Sequence, residues 1–398
     1  MKRRQVLKSA LALGASMGAP RLSFAAGAGD NRFVLVILRG GMDGLAAVPA
    51  WGDNNYRSLR GSLALNRPGG GKGILDLDGF FGLHPSLPNM HALYQQKELI
   101  VAHAVASSYR ERSHFDGQKQ LENGSNSPLG ARDGWLNRAL QHMQGEGNAA
   151  IALSQNVPLV LYGDDPVNSW APAALPEADD DTIRRIAGMY ESDAFFHEQF
   201  SSALDTRAMA EGLQGSGMGR RRGGRAMQDM EVYVKAAGRF LRDEDGPRIA
   251  VLESDGWDTH ANQGTDRGQL ANRFAQLDKG LALLKKELGP AWKRTVVLVA
   301  SEFGRTVAVN GSAGTDHGTA GAAFILGGAV AGGQVMADWP GLGKSQLYQG
   351  RDLAPTTDIR SLFKAVLHDH LEISSAAIEK KIFPDSRLAM KTRQLTNA

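Results

Sequence analysis

The sequence predicts an α/β fold built around a parallel sheet, and three observations carry that prediction. Apolar runs of strand length, closed by glycine or polar turns, recur along the chain, as strands buried on both faces require. Two of these runs flank a long helix with one apolar stripe, the strand–helix–strand unit that pairs its strands in parallel through a right-handed crossover. Acidic and histidine residues follow the strand ends, where open parallel sheets bind ligands.

Taken in order, Phe33-Val34-Leu35-Val36-Ile37-Leu38 is the first strand, ended by Arg39-Gly40-Gly41. Segment 50–82 is rich in Gly, Asn and Arg and reads as irregular surface chain. A helix is expected over 86–97, then a second strand at Leu99–Val105. Further helices are expected at 114–123, 133–144, 180–198 and 226–242. The basic, glycine-rich stretch 213–225 reads as a mobile loop within a helical and loop insertion near 163–245. It lacks the preceding strand and the Gly-Lys-Ser/Thr of a phosphate loop. Ile249–Leu252 and Thr295–Ala300 are the third and fourth strands. Between them Leu270, Phe274, Leu277, Leu281, Leu284 and Leu288 recur at helical spacing, and Gly289-Pro290 stops the helix. A helix at 357–371 closes the fold. No internal repeat is present, and residues 26–398 read as a single domain.

Residues 1–25 read as a twin-arginine signal peptide. Lys2-Arg3-Arg4-Gln5-Val6-Leu7-Lys8 is a basic start with paired arginines. The apolar stretch from Ser9 to Ala19 is too short to anchor in a bilayer. Ser23-Phe24-Ala25 fits cleavage after Ala25. The mature chain is therefore expected to fold before crossing the membrane and to be periplasmic or secreted. Its expected partner during export is the twin-arginine translocation machinery.

Residues 1–25 hold five of the 45 basic residues and none of the 42 acidic ones, so the remainder carries a net charge of −2. The basic excess belongs to the signal and argues for neither nucleic acid nor a membrane surface as a partner of the mature form. The absence of cysteine excludes disulfides, cysteine-held iron–sulfur clusters and thiolate chemistry.

The strand ends collect the chemistry. Gly40-Gly41-Met42-Asp43-Gly44 follows the first strand, and Ser113-His114-Phe115-Asp116 opens the helix after the second. Glu253-Ser254-Asp255-Gly256-Trp257-Asp258-Thr259-His260 follows the third. Ser301-Glu302-Phe303-Gly304-Arg305 and then Gly314-Thr315-Asp316-His317-Gly318 follow the fourth. Asp, Glu and His together suit a divalent ion, Zn²⁺ or Mn²⁺ before others. Asp258 and His260 stand two apart, so an extended segment turns both to one side. Asp43 after a Gly-Gly turn reads equally as a helix cap. Glu302 with Arg305 reads also as a surface ion pair, and internal salt bridges alone are a blander reading of the whole set. His84, His91, His142, His197, His368 and His370 read as surface or packing residues.

These motifs, with Asp133-Gly134-Trp135-Leu136-Asn137-Arg138 and Thr357-Asp358-Ile359-Arg360, resemble the bacterial twin-arginine-signal family of unknown function numbered 1501. That family lies within the alkaline-phosphatase-like (sulfatase-like) superfamily. The resemblance covers nearly the whole chain and implies a doubly wound, mostly parallel sheet with helices on both faces and a metal site of one or two ions at the strand ends. It implies Asp43 as a ligand of one ion, and Asp258 and His260, helped by Asp255, as ligands of the other. Glu302, with Asp316 and His317, completes the implied set. Ser113 falls where the superfamily carries its nucleophile, with His114 beside it. Phe303 stands where a histidine ligand is expected. No formylglycine motif surrounds Ser113, which disfavours a sulfatase of that kind.

The resulting expectation is an exported metal-dependent hydrolase of phosphate or sulfate esters, acting on a small molecule or a glycan. Arg305 would neutralise the ester oxygens. The alternative is a non-catalytic periplasmic scaffold or binding protein whose ion serves folding.

Overall fold

The chain forms a mixed, mostly parallel sheet sandwiched between two helical layers in its computed structural model. Residues 30–143, 149–172, 180–190, 193–209 and 225–386 are described. The signal segment 1–25 and residues 213–224 lie outside them. The strands are β1 (Arg32–Leu38), β2 (Leu75–Asp76), β3 (Gly82–Leu83), β4 (Leu99–Ala106), β5 (Ala150–Leu153), β6 (Asn168–Ser169), β7 (Ile249–Ser254), β8 (Thr295–Ser301), β9 (Gly321–Leu326), β10 (Gln334–Met336) and β11 (Thr357–Asp358). Nine of them make one sheet in the order β10-β4-β9-β8-β1-β7-β5-β6, with β11 beside the end of β4. β2 and β3 form a separate hairpin within the segment expected to be irregular.

β1 is buried along its whole length because it lies at the centre, parallel to β7 on one side and β8 on the other. The expected crossover from β7 to β8 is thus parallel, but it passes over β1 rather than joining neighbours. β9 runs antiparallel to both β8 and β4. The reason is local: the connection 302–320 stays at the carboxyl edge of β8, so the chain must run back. β9, Gly-Ala-Ala-Phe-Ile-Leu, was invisible in the sequence because its first half has little hydrophobic bulk.

Alternation along β1 divides the core. Val34, Val36 and Leu38 pack with helices Gln269–Leu288, Arg225–Arg242 and Pro88–Gln95. Phe33, Leu35 and Ile37 pack with helices Trp135–Leu140 and Ile359–Ala365 and with Phe383. Arg225–Arg242, read from sequence as part of an insertion, ends in a core segment through Ala236, Phe240 and Leu241.

Caps explain where expected helices were mis-bounded. The stretch 180–198 is two helices, Asp180–Tyr190 and Ala194–Met209. Asp193 starts the second, accepting from the amides of Phe195 and Phe196 at 3.0 and 3.1 Å. The helix expected at 357–371 begins at Ile359, because Asp358 caps it by accepting from the Arg360 amide, and it widens into a π-type turn at Val366–His370. No helix among the described residues is long and apolar enough to cross a membrane.

Candidate metal centre

The carboxyl ends of β1, β7 and β8 meet at one place, and glycine lets them. Gly40 has φ +124°, and a Cβ there would lie 2.5 Å from the Asp258 amide nitrogen. Gly41 has φ +65°, and its Cβ would lie 2.6 Å from the Phe303 ring. Neither conformation nor space admits another residue. The loop Gly314–Gly318 is stitched in beside them. Thr315 donates its amide to Thr259 O, and Thr306 donates its amide to Asp316 O.

Three imidazoles and one carboxylate converge there. Ligand atoms of His114, Asp258 and His317 lie within 4.8 Å of one another. Asp258 Oδ1 is 3.0 Å from His260 Nε2 and 3.3 Å from His317 Nε2, and Oδ2 is 3.4 Å from His114 Nε2. Each imidazole is held from behind by its Nδ1. His114 Nδ1 is 2.7 Å from Glu302 Oε1, His317 Nδ1 is 2.8 Å from Arg112 O, and His260 Nδ1 is 3.3 Å from Asp316 Oδ1. A carbonyl or a carboxylate oxygen only accepts, so in a neutral ring the proton these contacts place on Nδ1 leaves Nε2 a lone pair, whereas a ring that also donates from Nε2 to Asp258 is protonated. Metal-bound histidines are held in the same way. Arg112 has φ +60°, a strained conformation for arginine that sets its carbonyl against His317.

One observation says that this donor set fits a cation: His114 Nε2 is buried without a hydrogen-bond partner. The Nε2 atoms of His260 and His317 face each other at 2.9 Å, a contact that one ring makes by donating to the other. Phe303 closes one wall. Its ring stacks on His114 with centroids 4.9 Å apart and lies 5.2 Å from His317.

The local fields hold the acids ionised. Burial opposes charge on Asp258, but the Arg305 hydrogen bond and charge, with His260 and His114, outweigh it and keep its pKa below the usual carboxylate range. Burial likewise opposes charge on Glu302, yet its bonds from His114, Gln118 and the Gly40 amide lower its pKa. The Asn310 hydrogen bond lowers that of Asp316. The Glu302 hydrogen bond raises the pKa of His114, whereas burial lowers that of His317.

The other sequence candidates take different places. Glu302 is buried, and its oxygens accept from His114, Gly40 N, Gln118 and Ser301, so it faces the back of His114. Asp316 stands behind His260. Asp43 is buried away from the imidazoles: it caps a short helix at Ala46 N and accepts from Arg60 at 2.6 Å and Gln263 at 2.8 Å. Asp255 is exposed and lines a separate cleft of about 340 Å³ with Glu253, Arg273 and Tyr233. Arg305 has no exposed side-chain surface, and its guanidinium is committed to Asp258 at 2.6 Å, Thr315 and Gly40 O. It therefore cannot reach ester oxygens in solvent. Ser113 immediately precedes His114, and its side chain makes no capping bond to the helix it opens.

His114 was read as the nucleophile's neighbour; its part in the imidazole cluster was missed, as were the roles of Arg60, Gln263 and Arg112. Gln263 accepts from Thr259 and Thr315 and donates to Asp43, tying Asp43 to the loop that carries His317. A lone Gln in a loop carries no signal of this kind. His84 and His370, assigned no role, are buried packing residues.

The fold and this cluster define a mixed α/β protein with a candidate metal centre at the carboxyl edge of its sheet. Within that class, the chain belongs to the family described as "Protein of unknown function (DUF1501)", whose model matches residues 90–382. No curated protein matches it. Among solved structures it is similar to the C-terminal periplasmic domain of EcEptC from Escherichia coli in complex with Zn, at 12% identity over 96% of each chain with a TM-score of 0.45. It is similar to the phosphonate monoester hydrolase of Agrobacterium radiobacter at 13% identity, covering 86% of this chain and 74% of that one, TM-score 0.38. It is also similar to the PsFucS1 sulfatase from Pseudoalteromonas sp. at 14% identity, covering 84% and 68%, TM-score 0.35.

Proposed function

We propose that the chain is an exported, metal-dependent hydrolase of phosphate or sulfate esters. The observation that carries the reading is the convergence of three Nε2 atoms on Asp258, each ring anchored at Nδ1 by an oxygen acceptor. His114, Asp258, His260 and His317 would hold a divalent ion, Zn²⁺ or Mn²⁺. When bound, the ion supplies Lewis-acid polarisation of an ester oxygen and lowers the pKa of a nucleophile. Glu302, Asp316 and the Arg112 carbonyl orient the three rings, and Arg305 holds Asp258 from the buried side. Ser113 is the proposed nucleophile: it precedes a ligand, and its hydroxyl is not spent on capping. The substrate is a small-molecule or glycan ester, met in the periplasm or outside the cell after twin-arginine export.

The experiment is metal analysis of purified protein together with turnover of aryl phosphates and aryl sulfates. His260→Ala and His317→Ala are expected to lose bound metal and at least 100-fold in turnover while keeping the fold. A specific observation supports a second reading, a metal-stabilised scaffold: Phe303 brings a phenyl ring against the imidazoles where an extra ligand was expected. Under that reading the same variants lose only melting temperature, and wild type turns over neither ester.

A further inference from the structure

The resemblance stated above implies a site of up to two ions, and this chain's own side chains argue against the second. The buried acids Asp43 and Glu302 at these strand ends already have their counter-charge or their donors. Asp43 Oδ2 lies 2.6 Å from Arg60 Nη2, in a pair with 0% and 1% of its side-chain surface exposed. Both oxygens of buried Glu302 are engaged, Oε1 by His114, Gly40 N and Gln118 and Oε2 by Ser301. Phe303 offers no donor atom. Asp258, the carboxylate of the cluster, shares its Oδ1 between the imidazoles and the Arg305 guanidinium at 2.6 Å.

We infer that the centre is mononuclear, with the buried Arg305 guanidinium standing beside Asp258 as a fixed cation in place of a second metal ion. This rests on the hydrolase's metal site being real and goes beyond it in assigning its stoichiometry and the role of Arg305.

Charge balance supports the assignment. Asp43, Asp258, Glu302 and Asp316 bring four negative charges and Arg60 and Arg305 two positive ones, leaving two negative charges. A single divalent ion balances these. A second ion would leave two positive charges in a half-buried site. Arg305 acts by position: it cannot reach a ligand in solvent, but it holds Asp258 in place and keeps it ionised. The chain thus carries permanently, in a side chain, a charge that a two-metal site would borrow from solution.

The test loads the full mature chain with Mn²⁺ alone, then reads equivalents bound by calorimetry and the coupling of the ions by electron paramagnetic resonance. One equivalent with the spectrum of isolated Mn²⁺ is the expected result. Two equivalents with a spin-coupled spectrum overturn the inference and leave the hydrolase reading standing. No bound equivalent overturns both. Arg305→Met removes the charge at similar length and is expected to admit a second, weaker equivalent, whereas Arg305→Lys stays at one. A folded Arg305→Met that binds no more than wild type overturns the stand-in role. If that variant does not fold, the wild-type stoichiometry decides.

Discussion

Glu302 shows how a residue found by motif can hold a different post from the one its chemistry first suggests. It is a carboxylate at a strand end, the profile of a ligand, yet it sits behind His114 and accepts a hydrogen bond from that ring's Nδ1 at 2.7 Å. Removing its charge should leave the ligands in place and loosen one of them. Glu302→Gln is expected to weaken Mn²⁺ or Zn²⁺ binding about 10- to 100-fold, the usual effect of losing an outer-shell partner. Titration of the ion against a competing chelator reads this directly. Affinity unchanged within threefold would mean that His114 needs no anchor. Arg305 makes the companion lesson: its identity suggests anion binding, but its complete burial denies it that role.

At the scale of elements, the helix Gln269–Leu288 was legible in full and to within one residue, because its apolar stripe and its Gly-Pro stop are both local signals. Phe274 from that stripe has no exposed surface and packs on Trp257 and His84, with ring centroids 5.6 and 4.8 Å apart. Phe274→Ala is expected to cost about 3–5 kcal/mol of unfolding free energy. Trp257 immediately precedes Asp258, so the same cavity should also weaken metal binding. Urea denaturation gives the first quantity and a metal titration the second; a loss under 1 kcal/mol would show that the layer repacks freely. The shorter elements were not legible. β9 has Gly-Ala-Ala where a run of bulky residues would announce a strand, and β5, β6, β10 and β11 have two to four residues each. Their pairing comes from neighbours distant in sequence.

Across the whole molecule, three buried histidines make the fold sensitive to acid. His84, His103 and His370 donate from Nε2 to the carbonyls of Thr265, Val48 and Arg32 at 2.8–2.9 Å. Burial pushes the pKa of each down to about 4 from its ordinary 6.5. The folded state therefore keeps them neutral while the unfolded chain takes up protons between pH 6.5 and 4. Their stabilising neutrality is fully present above pH 6.5 and is lost as pH falls toward 4, by about 3 kcal/mol for each residue. Thermal unfolding followed from pH 7.5 to 4.5 should show a steep loss of melting temperature. His103→Gln should flatten it. A profile flat over that window would mean that these rings titrate normally.

Local pattern alone determined the four long strands, the long helix and the edge at which chemistry gathers, because continuous apolar runs and helical spacing are properties of neighbouring residues. Tertiary structure decided the rest: that β1 lies between β7 and β8, that β9 runs backwards, and which of the strand-end acids face imidazoles and which face arginines. Asp43 and Asp258 follow similar glycine-bearing turns, yet one is closed off by Arg60 and the other opens on three rings. Those partners lie 17 residues away in one case and up to 144 in the other. A side chain's charge is written in its own codon, but the company that gives the charge a task is assembled only when distant strand ends meet.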